Sequence, residues 1–182
     1  MRMRERVEHR WEDADKLLKS TPKTRQWLHL KAIRDIAAQR FAFPTAEFRT
    51  FRAYLNEPEP TMVIQTGGQE LVPDIVVVDT ARRNAVRLLA EVETMDSVNE
   101  EEARREWLPF SRVADANFFL YVPAGQAGEA KRILKKLGAR RVKLRTWRYI
   151  TGLETLDITD VHTGLFSLEA LMPPFLLRRH RA

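Results

Sequence analysis

The chain has 182 residues, 44% of them hydrophobic, which suits one globular domain with a short appendage. Lys and Arg number 31 against 25 acidic residues, giving a net charge of +6 and an isoelectric point near 9.9; that balance permits a polyanionic partner without requiring one. The absence of cysteine excludes disulfides, thiolate metal sites and a cysteine nucleophile.

Residues 2–19, "RMRERVEHRWEDADKLLK", read as a highly charged helix with a narrow apolar stripe of Met3, Val7, Trp11, Ala14 and Leu18. Thr21 suits an N-cap and Pro22 the first turn of a second helix, which ends near Phe43-Pro44. Trp27, Leu30, Ile33 or Arg34, Ala37 and Phe41 recur on one of its faces, with Leu28 and Ile36 beside it. "EFRTFRAYL", Glu47 to Leu55, is expected as a strand covered on both faces. "NEPEP" is a proline-rich loop, "TMVIQ" a short strand, and Gly67-Gly68 a turn. "ELVPDIVVVDT" then reads as one strongly β-branched strand, "ARRNA" as a turn, and "VRLLAEVET" as the returning strand.

"SVNEEEARREWLPFSRVA" reads as a helix capped by Ser97 or Asn99, with Val98, Ala103, Trp107, Phe110 and Ala114 facing the core and a kink at Pro109. Glu100–Arg104 and Glu101–Arg105 are i,i+4 pairs on its wet face. "NFFLYVPAG" is a buried strand, "QAGEAKRILKKLGA" an amphipathic helix closed near Gly138, and "RVKLRTWRYI" a final strand. Three segments result: a charged N-terminal helix over 1–20, a core domain over 21–150, and a C-terminal extension with a basic tail over 151–182.

Two carboxylates stand out in the apolar strand "RLLAEVET". Side chains alternate across a strand, so Glu91 and Glu93 point to one face. If the hairpin pairs Asp79 with Val86, Asp74 lies opposite Glu91, with Cβ atoms roughly 5 Å apart. Two carboxylates at that distance repel by roughly 3 kcal/mol at an effective dielectric near 20. Either a shared proton raises a pKa, or a cation sits among them. A hard divalent ion with oxygen ligands suits the cluster. The four histidines form no HxxxH pair, which disfavours a histidine-built site. A solvated edge strand is the plain alternative.

Pro73-Asp74, a hairpin, Glu91-Val92-Glu93, a helix and a further strand together resemble the PD-(D/E)xK nuclease superfamily over roughly residues 22–149. The resemblance implies a restriction-endonuclease-like α/β (α+β) fold, a mixed sheet flanked by helices in the order α-β-β-β-α-β-α-β. It implies Mg²⁺ or Mn²⁺ held by Asp74 and Glu91, with the Val92 carbonyl as a further ligand. Most members carry a lysine where this chain has Glu93; some type II restriction enzymes carry Glu there, as general base or second ligand. Arg104 or Arg105 is a candidate replacement cation, although both also suit wet-face pairing with Glu100 and Glu101. Asp35 and Glu47 are weak candidates for the acidic residue that many members carry on the first helix.

The implied activity is Mg²⁺-dependent hydrolysis of DNA phosphodiester bonds, with Asp74, Glu91 and Glu93 as catalytic residues. Arg104, Arg105, Arg141, Lys143, Arg145 and Arg148, with Arg178, Arg179 and Arg181 of the tail, are candidates for gripping the nucleic-acid backbone. A non-catalytic nucleic-acid-binding or assembly module of the same fold is the alternative. "GGQ", Gly67 to Gln69, is better explained as a β-turn than as a hydrolytic tripeptide. No apolar run approaches the ~20 residues that span a bilayer, and no signal-peptide core opens the chain, so a cytoplasmic location without membrane contact is expected. The charged first helix and the apolar segment "LFSLEALMPPFLL" can support a homodimer.

Overall fold

Pro22 and the run of good helix formers behind it produce α1, Pro22–Arg40. The computed structural model describes residues 22–150 and 154–161. The helix read at 2–19, the segment "LFSLEALMPPFLL" and the tail arginines lie outside the described residues. So, therefore, do the elements on which the homodimer reading rests. The buried side of α1 is Leu28, Ala32, Ile33, Ile36, Ala37, rotated from the expected face. Ala32 and Ala37 are small enough for close approach to a sheet, whereas Trp27 is 51% exposed.

The chain then forms β1 (Phe51–Leu55), β2 (Ile64–Thr66), β3 (Gln69–Leu71), β4 (Ile75–Asp79) and β5 (Ala85–Val92). β1 starts later than expected because the Thr45 hydroxyl accepts the Phe48 amide N–H at 3.1 Å and holds that stretch as a turn. β2 and β3 pair as a separate hairpin, with Gly67 at φ 56° and Gly68 at φ 77° in the left-handed region that a two-residue turn needs. The stretch 70–80 is therefore two strands, not one. Pro73 interrupts it, having no N–H for a ladder. Buried Asn56 fastens the junction: its side-chain amide donates to the carbonyls of Met62 and Pro73, each at 2.8 Å.

A helical segment over 100–110, here α2, follows, then β6 (Asn117–Pro123), α3 (Ala127–Leu137), β7 (Val142–Ile150) and β8 (Thr155–Asp160). Asn99 caps α2 by accepting the Glu102 amide N–H at 2.9 Å, and three glutamates in the first turn suit the helix dipole. Ala114 lies beyond the helix and is exposed, contrary to expectation. β8 extends the sheet past the 21–150 core read from the sequence.

Six strands make one sheet in the order β1-β4-β5-β6-β7-β8. β5, β6 and β7 run parallel, and the other pairings are antiparallel. The fold is thus a mixed α/β sheet flanked by helices. On one face Trp107, Phe110, Ile133 and Leu134 of α2 and α3 cover Val76, Leu89, Phe118 and Leu120. On the other, Ile33, Ile36 and Ala37 of α1 cover Ile75, Ala90, Val92 and Tyr121.

The register of β4 on β5 contains a bulge. Asp79 faces Ala85 near the turn, not Val86. The ladder shifts between Val77 and Val78, after which Val77 faces Leu88 and Ile75 faces Ala90. Arg87 is the extra residue. It restores the alignment that sets Asp74 beside Glu91, so the bulge creates the register that the sequence reading obtained from an unbroken ladder.

Candidate metal centre

Asp74 precedes β4, Glu91 lies at the end of β5 and Glu93 just follows it, so antiparallel pairing brings all three to the same end of the sheet. Each is buried: Asp74 is 5%, Glu91 7% and Glu93 3% exposed. Two reciprocal bonds lock the corner. The Val92 amide N–H donates to Asp74 Oδ2 at 2.8 Å, and the Asp74 amide N–H donates to Glu91 Oε2 at 3.2 Å. The Glu93 backbone is held on both sides, its N–H by the Tyr121 carbonyl at 2.8 Å and its carbonyl by Trp147 Nε1 at 3.2 Å. Its carboxylate accepts the indole N–H of Trp107.

A fourth carboxylate was not foreseen. Glu106, on α2, joins Glu91 and Glu93, and one oxygen from each lies within 4.8 Å of the others. Opposed donors around a bound Mg²⁺ or Ca²⁺ span ~4–5 Å, so these oxygens fit one hard ion. Asp74 sits beside this triad and interacts with both strand glutamates. The cause of Glu106's position is the wide turn over Ala103–Trp107, where Leu108 N–H donates to Ala103 O, five residues back. Pro109 lacks an N–H and its ring crowds the carbonyl four residues earlier, so the kink takes this form. The same turn explains why Arg105 pairs with Glu102 and Glu106, not Glu101.

The electrostatics follow from burial. Desolvation first, then the charges of Asp74 and Glu93, push the Glu91 carboxyl well above its usual range. Burial also lifts Glu93 to about 8, against the opposing bonds of Ser97 and Trp107. Burial and the neighbouring Glu102 lift Glu106 to about 7. One positive partner reaches the corner from α1. His29 Nε2 lies 2.6 Å from the Val92 carbonyl oxygen and 3.5 Å from Asp74 Oδ2. Burial alone lowers its pKa, but Asp74 and the carbonyl outweigh that and raise it to about 9.

The metal-free fold is therefore expected to lose stability as pH rises. Between 4.5 and about 8 the folded state keeps a proton on Glu93 that the unfolded chain releases. Stability from that proton is full below 4.5 and is lost as pH climbs through 8; Glu91 and Glu106 act in the same direction. His29, raised from 6.5 to about 9, adds stability below 6.5 that disappears through 9. Thermal melts from roughly pH 5 to 9 in chelator should show a falling Tm; a flat or rising Tm would contradict protonated carboxylates at the corner.

The basic residues singled out from the sequence do not share one place. Arg104 pairs with Glu100 at 3.8 Å and Arg105 with two glutamates, both on the outer side of α2. Arg145 is built into the sheet face, paired with Asp160 at 2.6 Å, donating to the Tyr121 hydroxyl at 2.9 Å and stacked over Phe119. Arg148 pairs with Asp157 at 2.9 Å on the other face. Arg141 and Lys143 are exposed at the start of β7. Asp35 bonds Lys31 at 2.6 Å and the Tyr149 hydroxyl at 2.8 Å, and Glu47 is exposed before β1. A cavity of about 230 Å³ lined by Phe43, Phe48, Phe51 and Arg87 lies toward the other end of the sheet and holds one carboxylate, Asp115. The donor atoms thus gather at the β5 terminus, not in the cavity.

Comparison with protein-family models, curated proteins and solved structures returns no match. Among the described residues, no helix is long and apolar enough to cross a membrane.

Proposed function

We propose that the chain is a metal-dependent nuclease of the restriction-endonuclease-like kind, acting in the cytoplasm on the phosphodiester bonds of DNA. The observation that carries this reading is the meeting of Asp74, Glu91, Glu93 and Glu106, buried or half-buried, at one sheet end. Such a group is costly without a cation. Its donors are oxygens, as Mg²⁺ and Mn²⁺ require.

When bound, the ion supplies a Lewis acid for a phosphate oxygen and lowers the pKa of a coordinated water. Asp74 and Glu91 would hold it, with the Val92 carbonyl as a neutral donor, and Glu106 stands as a further carboxylate beside Glu91. Glu93 takes the proton of the attacking water on its carboxylate, which Trp107 keeps oriented. Exposed Arg141 and Lys143 offer charge to the nucleic-acid backbone.

The test is cleavage of plasmid, linear and single-stranded DNA with Mg²⁺ or Mn²⁺, beside Asp74→Ala and Glu91→Ala. Cleavage by the wild type that both substitutions abolish is the expected result. Cleavage that survives both would refute the site. One feature favours a second reading, a non-catalytic nucleic-acid-binding module. Glu93 stands where the superfamily places a lysine, and Arg104 and Arg105 are engaged by glutamates. DNA binding without cleavage would select it.

A further inference from the structure

His29 touches two of the groups assigned to the proposed metal, the Val92 carbonyl and the Asp74 carboxylate. It reaches the corner from α1, on the face of the sheet opposite the Glu106 helix. Its Nε2 lies 2.6 Å from the Val92 carbonyl oxygen, and a carbonyl oxygen can only accept. Nε2 therefore carries the proton and donates, in either charge state of the ring. A protonated ring nitrogen has no lone pair to give a metal. Nε2 also lies 3.5 Å from Asp74 Oδ2, an ion-pair distance. It thus engages two of the atoms that the nuclease reading gives to the ion. The His29 side chain is 25% exposed, against 7% for Asp74, so the imidazole has solvent to swing into while the carboxylate does not.

We infer that His29 is a displaceable stand-in for the divalent ion: its Nε2–H bonds the Val92 carbonyl beside the Asp74 carboxylate in the metal-free protein, and the ion seats by expelling it. This rests on the metal-centre reading above. Histidine and ion compete for the same lone pairs, so their occupancies are negatively coupled. Removing the competitor removes the cost of expelling it. A hydrogen bond to a charged group is worth about 1.5–3 kcal/mol, which corresponds to roughly ten- to hundredfold in affinity. A ligand role for His29 predicts the opposite sign.

The experiment is calorimetric titration of the full chain with Mn²⁺, comparing wild type, His29→Ala and His29→Gln, with melts in chelator. The stand-in predicts that His29→Ala binds Mn²⁺ roughly ten- to hundredfold more tightly and melts lower without metal. His29→Gln keeps an N–H donor and should fall between the two. Ring-nitrogen NMR of the wild type covers the case in which His29→Ala does not fold, because Mg²⁺ should move the His29 signals to those of a solvated imidazole. Weaker or unchanged Mn²⁺ binding by the variants, or ring signals that Mg²⁺ leaves in place, overturns the stand-in while the metal centre stands. No Mn²⁺ binding by any form, wild type included, overturns the metal centre and the stand-in with it.

Discussion

Glu91→Gln is expected to abolish metal-dependent cleavage and, in the same protein, to raise the melting temperature at alkaline pH. The loss follows from removing a charged donor from the ion; Lewis-acid stabilisation is worth several kcal/mol, so a drop of roughly 10³-fold or more is expected. The gain follows from burial. Glu91 is 7% exposed among Asp74, Glu93 and Glu106, and its carboxyl is pushed well above its usual range. As pH rises above the unfolded pKa, the wild type pays to keep that proton in the fold. Gln has no proton to keep, and its amide oxygen can still accept the Asp74 N–H that Glu91 now accepts at 3.2 Å. The difference in Tm should be near zero at about pH 5 and grow toward about pH 8, at about 2–4 °C for each kcal/mol relieved. Differential scanning calorimetry in chelator at both pH values checks it. A variant that melts lower at the higher pH would show that Glu91 is held by favourable contacts, and the metal argument would lose its physical basis. A residue whose removal stabilises the fold while ending the reaction has the usual signature of a functional site.

Trp107→Ala carries the largest expected cost in stability. Trp107 is fully buried in the core between α2 and the sheet, and its indole N–H donates to Glu93. Truncation leaves a large cavity and a buried carboxylate with one donor fewer, for a loss of about 3–5 kcal/mol. At about 2–4 °C per kcal/mol, Tm falls by roughly 6–20 °C. Trp107→Phe separates the two contributions. It keeps an aromatic ring in the core but loses the donor and part of the volume, and is expected to cost about 1–3 kcal/mol. It should also weaken Mn²⁺ binding, because Glu93 loses a bond that favours its charged form. A Phe variant with unchanged metal affinity would separate Trp107 from the site and leave it a packing residue alone.

Much of this arrangement was legible in the sequence. The period-two spacing of Glu91 and Glu93 gave their shared face, and the hairpin gave Asp74 as their neighbour. Other parts were not legible, for identifiable reasons. Glu106 was hidden because a regular helical period sets it about 100° from Trp107, and the five-residue turn that shifts it arises from Pro109. A proline placed just after a charged residue that adjoins a buried tryptophan is the signal that was available. His29 was set aside because it matched no metal spacing in sequence; its contact to Val92 spans 63 positions and exists only once α1 lies on the sheet. The face of α1 was rotated because Trp27 looks like core on hydropathy, while the sheet selected Ala32 and Ala37 for closeness. The bulge at Arg87 left no local mark, yet it offset an error of one residue in the assumed turn.

The bond from Trp147 to the Glu93 carbonyl has a consequence for the timing of synthesis. The two residues are 54 positions apart. The carboxylates therefore leave the ribosome well before the strand that fixes the backbone beneath one of them. Until β7 docks beside β6, Glu93 lacks its indole anchor, and the parallel half of the sheet on which the corner rests is incomplete. The corner is complete only once residue 147 has joined the sheet.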